Sequence, residues 1–165
     1  MSRSLGAVLP ASLVDRLSQR DLGRHLGIGL PFVTIDQAGR PHAMVLSYLE
    51  VRAHSPSTVG IVIQAGSTSA RNLATRGAGT LMIVEPDAVV YVKARAVDGP
   101  LEVGDDAFGL GYFLLAVEDV LEDTAGAWEG GARITSAIEY RPLPPLDAPW
   151  VRATLTALAA PRARV

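Results

Sequence analysis

The chain has 165 residues, a formal net charge of −2 and no cysteine. This length is enough for one domain with a sizeable core, and the lack of cysteine excludes disulfides, thiolate catalysis and thiolate metal sites. Because the net charge is slightly negative and the arginines are scattered along the chain, the composition argues against non-specific nucleic-acid binding.

Hydropathy predicts a soluble protein with apolar surface to cover. Residues 1–10 lack an apolar segment of signal-peptide length, so we expect a cytoplasmic protein. The most apolar segment, 107–117, is too short to span a bilayer, so no membrane association is predicted. Hydrophobic residues make up 48% of the chain, which favours a homo-oligomer.

The first predicted elements are a helix and a β-hairpin. Leucines spaced four apart, opposite a row of arginines, predict a helix over 12–26. The β-branched run 28–35 predicts a buried strand, and Asp36-Gln37-Ala38-Gly39 is typical of a turn that reverses the chain. A second strand is then expected over 42–51.

The middle of the chain predicts a strand, a helix and another strand. A loop is expected over 52–58, and the unbroken apolar run 59–63 indicates a strand buried on both faces. Gly66-Ser67-Thr68-Ser69 ends that strand, and 70–76 is expected to form a short helix that begins after the serines. The next strand is expected over 80–84.

The last third predicts a strand, a long helix, a further strand and a terminal helix. Alternation of polar and apolar residues indicates a strand over 88–97, and acidic residues before an apolar run predict the longest helix over 105–124. A strand is expected over 133–140, a proline-rich connector over 142–149 and a helix over 150–160.

Together these elements predict a mainly β protein of the α+β class, an antiparallel barrel with peripheral helices. One domain is expected over 1–165, with its core at about 28–140. Hairpins outnumber the strand–helix–strand crossovers that a doubly wound parallel sheet would need.

The step from the third strand into the short helix is the best candidate binding site. Free backbone N–H groups at a helix start, the hydroxyls of residues 67–69 and Arg71 one turn further on suit a phosphate or carboxylate. The alternative is that Ser67 or Ser69 only caps the helix.

Other patterns carry no chemistry. The three histidines, at positions 25, 42 and 54, share no spacing with carboxylates that would make a metal site, so no metal is predicted. The acidic residues of 118–123 are at helical spacing and predict a solvated helix face, and Gly109 and Gly111 are expected to allow close packing of that helix. We assign no catalytic residue.

The order of these motifs resembles one known family, the pyridoxamine 5'-phosphate oxidase-like FMN-binding split barrels. The resemblance covers residues 28–97. It rests on the Asp36 to His42 hairpin, the strand Met44-Val45-Leu46-Ser47-Tyr48 and the step Gly66-Ser67-Thr68-Ser69-Ala70-Arg71-Asn72-Leu73.

The resemblance implies a split barrel that forms a homodimer with two FMN sites at the subunit interface. It implies that Met44, Val45, Leu46 and Ser47 lie along the isoalloxazine ring, with Gln64 and Ala65 nearby. It further implies that Ser67, Thr68, Ser69 and Arg71 lie at the phosphate.

Three hypotheses for function follow. The first is an FMN-binding, oxidoreductase-like protein that acts on a small substrate. The second is a non-catalytic split barrel that binds heme, a deazaflavin, a small regulator or nothing, since Ala43, Tyr48 and Ser69 stand where basic residues are usual among tight FMN binders of the family. Arg40, Arg76 or Arg95 could supply the missing charge. The third is a barrel that serves only for dimerisation.

Overall fold

The computed structural model describes residues 2–104 and 108–160, and the strands among them form one antiparallel sheet. The strands in these residues are β1 (Ser2–Gly6), β2 (Ile28–Ile35), β3 (Pro41–Ser47), β4 (Val51–Ser55), β5 (Thr58–Gln64), β6 (Ala78–Val84), β7 (Val89–Glu102), β8 (Leu110–Asp123) and β9 (Ile138–Glu139). The helices are α1 (Ala11–Arg16), α2 (Thr68–Arg76) and α3 (Pro149–Ala159), with 3-10 turns at Leu22–Arg24 and Ala127–Glu129. The predicted α+β class with peripheral helices is confirmed.

The strands follow the order β3-β2-β6-β7-β8-β5-β4, with β1 beside β8 and β9 beside β2. Alternate side chains of the strands from β2 to β8 enter the main core, as the period of two requires. This core contains Leu30, Phe32, Leu46, Ile61, Ile83, Phe113 and Leu115, together with residues of α1 and α2. On the opposite face of β5 and β8, a second cluster under α3 contains Val62, Tyr112, Leu114 and Leu158.

Elements with strong local patterns lie where the sequence predicts them. Strand 28–35 is β2 residue for residue, and the predicted strands 59–63 and 80–84 are β5 and β6 with slightly wider bounds. Helix 70–76 is α2, which begins two residues earlier, and the terminal helix is α3. The predicted strand 88–97 is β7, which continues to Glu102 through irregular pairing with β8.

The predicted helix over 105–124 is wrong. Residues 105–107 lie outside the described residues, and Leu110–Asp123 forms β8 at the centre of the sheet, between β5 and β7. A central strand covered on both faces has a continuous apolar run, which cannot be told from a buried helix by periodicity.

Because this segment is a strand, its glycines and acidic residues have different roles from those predicted for a helix. Gly111 lies in the strand, where an added Cβ would be 3.1 Å from Pro100 and 3.3 Å from Ala65. The acidic side chains do not form a helix face but pair across strands. The pairs are Arg95–Glu118 at 2.7 Å, Lys93–Asp119 at 3.5 Å and Arg3–Glu122 at 2.7 Å.

The predicted second strand over 42–51 and the loop over 52–58 are also wrong in their bounds. The strand ends at Ser47, and after a short turn β4 occupies most of the predicted loop. The β4–β5 hairpin is tight, since Ser55 pairs with Thr58 across Pro56 and Ser57. The polar residues His54 and Ser55 concealed this strand from a pattern that depends on hydrophobic alternation.

The predicted helix over 12–26 ends early. Helix α1 stops at Arg16, and Gln19 has a φ of 64°, a backbone conformation outside the right-handed helix. The Gln19 side chain donates to the carbonyls of Tyr48, Leu49 and Val51 at 3.1–3.2 Å. The helix is therefore interrupted at a residue whose side chain supplies hydrogen-bond donors to the carbonyl groups of the turn after β3. The predicted strand over 133–140 shrinks to β9, the two residues that reach the edge of β2.

Candidate functional site

Strand β3 presents its two faces to different environments. Met44 and Leu46 face the main core, since Met44 is paired with the buried Phe32 of β2. Val45 and Ser47 point to the other face, and the Val45 side chain is 52% exposed. Of the four residues predicted along the ring, the alternation of the strand therefore turns two outward and two inward.

An apolar groove of about 690 Å³ lies against the end of β3. We call it the strap groove because its wall is the proline-rich segment before α3. Its lining residues are Val45, Leu46, Ser47, Glu50, Ile138, Tyr140, Pro142, Leu143, Pro144, Pro145 and Trp150. Three predicted ring residues therefore line a concave surface suited to a planar apolar ligand.

Gly29 allows β9 to approach β2 closely. A Cβ at this position of β2 would lie 2.8 Å from Val45 Cγ1 and 3.0 Å from Ile138 Cγ2. Both side chains therefore pack over the bare backbone, and β9 pairs with β2 at this point. A side chain at position 29 would displace Val45 and Ile138, which both line the strap groove.

Glu50 adds a carboxyl group to the strap groove. The backbone N and the Oγ of Ser47 both donate to its Oε2, at 2.7 and 2.8 Å. Burial raises the pKa of Glu50, and the two hydrogen bonds from Ser47 oppose that shift in part. Sequence reasoning missed Glu50, because no motif marks a glutamate that follows a strand.

The start of α2 makes the capping contacts of an ordinary helix. The Ser67 side chain accepts a hydrogen bond from the backbone N of Ala70 at 3.1 Å, so Ser67 caps the helix. The Arg71 guanidinium donates to the Gly66 carbonyl at 2.8 Å and to Thr68 Oγ1 at 2.9 Å. Arg71 is exposed, so an anion could compete for these donors.

A polar cleft of about 430 Å³ separates α2 from the β2–β3 turn. We call it the arginine cleft; its lining residues are Asp36, Gln37, Ala38, Arg40, Thr68, Arg71, Asn72 and Thr75. Arg40 pairs with Asp36 at 3.1 Å, and hydrogen bonds from the backbone and then the side chain of Arg40 lower the pKa of Asp36. Arg76 donates to the carbonyl of Gln37, at the same turn.

Two of the three arginines expected to supply extra charge therefore lie near Arg71. Arg40 lines the arginine cleft, and Arg76 reaches the turn that forms its wall. Arg95 instead lies on β7, where it pairs with Glu118.

Five of the ten residues predicted for the cofactor line the strap groove or the arginine cleft. Val45, Leu46 and Ser47 line the strap groove, whereas Thr68 and Arg71 line the arginine cleft. The others line neither; they are Met44, Gln64, Ala65, Ser67 and Ser69. Ala65 is exposed after β5 and its backbone N donates to Gly109 at 2.7 Å.

Asn72 connects α2 to the hairpin beneath it. Its Nδ2 donates to Thr34 Oγ1 at 2.9 Å, and Thr34 Oγ1 in turn donates to the His42 carbonyl at 3.3 Å. Asn72 is 4% exposed and Thr34 is fully buried. The asparagine of the Ala-Arg-Asn-Leu motif therefore holds the helix against the sheet.

Tyr48 and Ser69 are both buried. Tyr48 is 3% exposed and stacks on His25 with ring centroids 4.6 Å apart, and Ser69 is 2% exposed. Burial raises the pKa of Tyr48, whereas burial and then the nearby Arg16 lower the pKa of His25. These two positions lie inside the fold and add no donor to the strap groove or the arginine cleft.

Two further features bear on function. Within residues 2–104 and 108–160, no group of three or more histidine, aspartate or glutamate side chains is arranged to hold a metal ion. The helices of the same residues lack the length and apolar character needed to cross a membrane.

Several solved structures have a similar backbone. An FMN-binding protein from Syntrophomonas wolfei matches with a TM-score of 0.53 and 12% identity, over 70% of this chain and 89% of its own. A candidate pyridoxamine 5'-phosphate oxidase from Lactobacillus delbrueckii matches with a TM-score of 0.52 and 19% identity, over 72% of this chain and 98% of its own. HupZ of Group A Streptococcus matches with a TM-score of 0.51 and 11% identity, over 81% of this chain and all of its own.

These similarities confirm the predicted fold: the chain has the split-barrel fold of pyridoxamine 5'-phosphate oxidase-like proteins. At sequence identities of 11–19%, these similarities show a shared fold and do not show a shared function. No protein-family model matches the sequence, and no curated protein sequence matches it.

Proposed function

We propose that this protein binds flavin mononucleotide along β3, an edge strand of the sheet, and, with it, acts as an oxidoreductase-like protein on a small substrate. One observation carries the proposal. An apolar groove and an arginine-lined cleft lie at opposite ends of the same strand, in a fold shared with an FMN-binding protein.

The spacing suits an elongated ligand with one apolar and one anionic end. Val45 lies in the strap groove, and Pro41 follows directly after the turn that forms the arginine cleft. Four residue steps along a strand span about 13 Å. A flavin ring could therefore lie near Val45 while its ribityl chain runs along β3 towards the cleft.

The residues of the cleft fit a phosphate group. Arg71 and Arg40 present guanidinium donors, and Thr68 and Thr75 present hydroxyls. A phosphate would replace the Gly66 carbonyl as the partner of Arg71 and would compete with Asp36 for Arg40. The flavin itself would supply the electron-transfer chemistry, while the protein would supply position and polarity.

Titration with FMN tests this proposal directly. We expect Arg71→Ala to weaken FMN binding about 10- to 100-fold, because a charge-assisted hydrogen bond contributes about 1.5–3 kcal/mol. Arg20→Ala is the matched control, since Arg20 is exposed and pairs only with Asp15 among the described residues. Protein that takes up no FMN, or equal effects of the two substitutions, would contradict the proposal.

The mostly apolar lining of the strap groove supports a second candidate function. Since Tyr48 and Ser69 are enclosed, the cationic donors at the cleft come from exposed arginines, and the strap groove itself is mostly apolar. A split barrel that holds a different ligand, such as heme or a deazaflavin, would use the same groove. The absorption spectrum of the purified protein separates these cases, since flavin absorbs in the blue and heme has a Soret band.

We further propose that the protein is a homodimer through the face that carries β3. Val45 and Ile138 are adjacent on this face and are 52% and 45% exposed. Burying such apolar surface favours self-association. Light scattering at micromolar concentration should give a mass of two chains, and a clean monomer would refute both the dimer and a site shared between subunits.

A further inference from the structure

Glu50 supplies a carboxyl group to the strap groove, and no basic side chain accompanies it among the described lining residues. Among the described residues that line the groove there is no lysine, arginine or histidine. The groups that shift the pKa of Glu50 are Ser47 and the surrounding burial, without a cation among them. An ionised carboxyl in apolar surroundings is costly unless a partner arrives.

The carboxyl is also held in one orientation. Both hydrogen bonds from Ser47 end on Oε2, and in the part of the chain that the structure describes Oε1 accepts none. The backbone N of Glu50 donates to the Ser47 carbonyl at 3.0 Å, which fixes the turn that carries the side chain. The second oxygen thus remains an acceptor at a preorganised position.

The rest of the groove provides apolar and aromatic surface. Four of the lining residues come from the segment 142–145, and Tyr140 and Trp150 contribute aromatic rings on either side of that segment. Aromatic rings attract cations as well as apolar groups. The surface therefore suits a molecule that carries a positive charge on an apolar body.

We propose that the strap groove binds an organic cation with an apolar body, whose protonated nitrogen donates to Glu50 while its apolar part lies against the prolines and Trp150. The site lies beyond the end of β3, on the side away from the arginine cleft. It does not require a bound flavin. The recognition of the ligand rests on its positive charge, in contrast to the anion expected in the cleft.

Calorimetric titration of the flavin-free protein tests this inference with two matched probes. 1-Naphthylmethylamine is cationic at neutral pH, and 1-naphthalenemethanol is its neutral counterpart. We expect the amine to bind about 10- to 100-fold more tightly than the alcohol, the range for one charge-assisted hydrogen bond in a desolvated site.

Three variants assign that preference to the groove. Glu50→Gln keeps an acceptor for Ser47 and should reduce the preference to about one, with the alcohol's affinity unchanged. Glu139→Gln is the control, since Glu139 is exposed on β9 and does not line the groove. Trp150→Ala should weaken both probes.

Equal affinities of the wild type for amine and alcohol would overturn the inference, as would equal effects of the two glutamate substitutions. If neither probe binds and light scattering shows a dimer, the groove is covered by a second copy and the inference is wrong. FMN titration is a separate measurement, so failure of the proposed flavin site and failure of the cation site can be told apart. The wild-type comparison stands even where a variant does not fold.

Discussion

The buried bond between Asn72 and Thr34 should hold α2 against the sheet. Substituting Asn72 by Ala removes the donor to Thr34 Oγ1 and leaves a small void at a position that is 4% exposed. Loss of a buried hydrogen-bond partner costs about 1–3 kcal/mol. Thr34 keeps its bond to the His42 carbonyl, so we expect about 2 kcal/mol in all.

That loss is large enough to measure. For a domain of this size it corresponds to a fall of about 4–8 °C in Tm. Urea unfolding followed by circular dichroism gives the free energy of unfolding. Thr75→Ala is the control, since it truncates an exposed side chain on the same helix.

A double-mutant cycle with Thr34→Val isolates the pair. If the two side chains act through their hydrogen bond, the double variant should lose about 1 kcal/mol less than the sum of the single losses. Strict additivity, or a loss for Asn72→Ala no greater than that for Thr75→Ala, would refute this account of the motif.

Three further expectations concern the core and the titrating groups. Gly79→Ala would place a Cβ 2.5 Å from Cζ of the fully buried Phe32, so we expect urea unfolding to show a free energy of unfolding lower by about 1–3 kcal/mol. Gly23 has open space around it, so Gly23→Ala is the control and should change that free energy by less than about 1 kcal/mol. Because burial raises the pKa of Glu50, ionisation costs the folded state as pH rises; Glu50→Gln should therefore raise Tm at pH 7, and the gain should vanish below about pH 4, near the ordinary range of glutamate. Because burial lowers the pKa of His25, the imidazole binds a proton at higher pH in the unfolded chain than in the folded chain. Tm should therefore fall as pH drops below about 6.5. If a His25→Gln variant shows the same fall, His25 is not its cause.

Short-range patterns in the sequence were sufficient for β2, the turn after it and the start of α2. The β-branched run 28–35, the turn after it and the serine before α2 act through neighbours in the chain, and the structure has β2, its hairpin and a Ser67 cap at these places. This is also the segment that carries the family resemblance, and the fold it implied is confirmed by the structural similarities.

The remaining elements depended on what packs against them. The apolar run of β8 is a strand because β5 and β7 hydrogen-bond to its two edges and both its faces are buried, a fact that no local window contains. Likewise α1 ends early because Gln19 bonds to carbonyls about thirty residues away.

The candidate site shows the same division. The family resemblance pointed to Val45, Leu46 and Ser47, whereas the hydroxyl and the guanidinium at the start of α2 marked Thr68 and Arg71 by their local chemistry. Only the tertiary structure added Glu50 and Ile138, which are far apart in the sequence and both line the groove because Gly29 lets β9 pack on β2. A binding surface made by distant segments is decided by packing, and packing is a property of the whole fold.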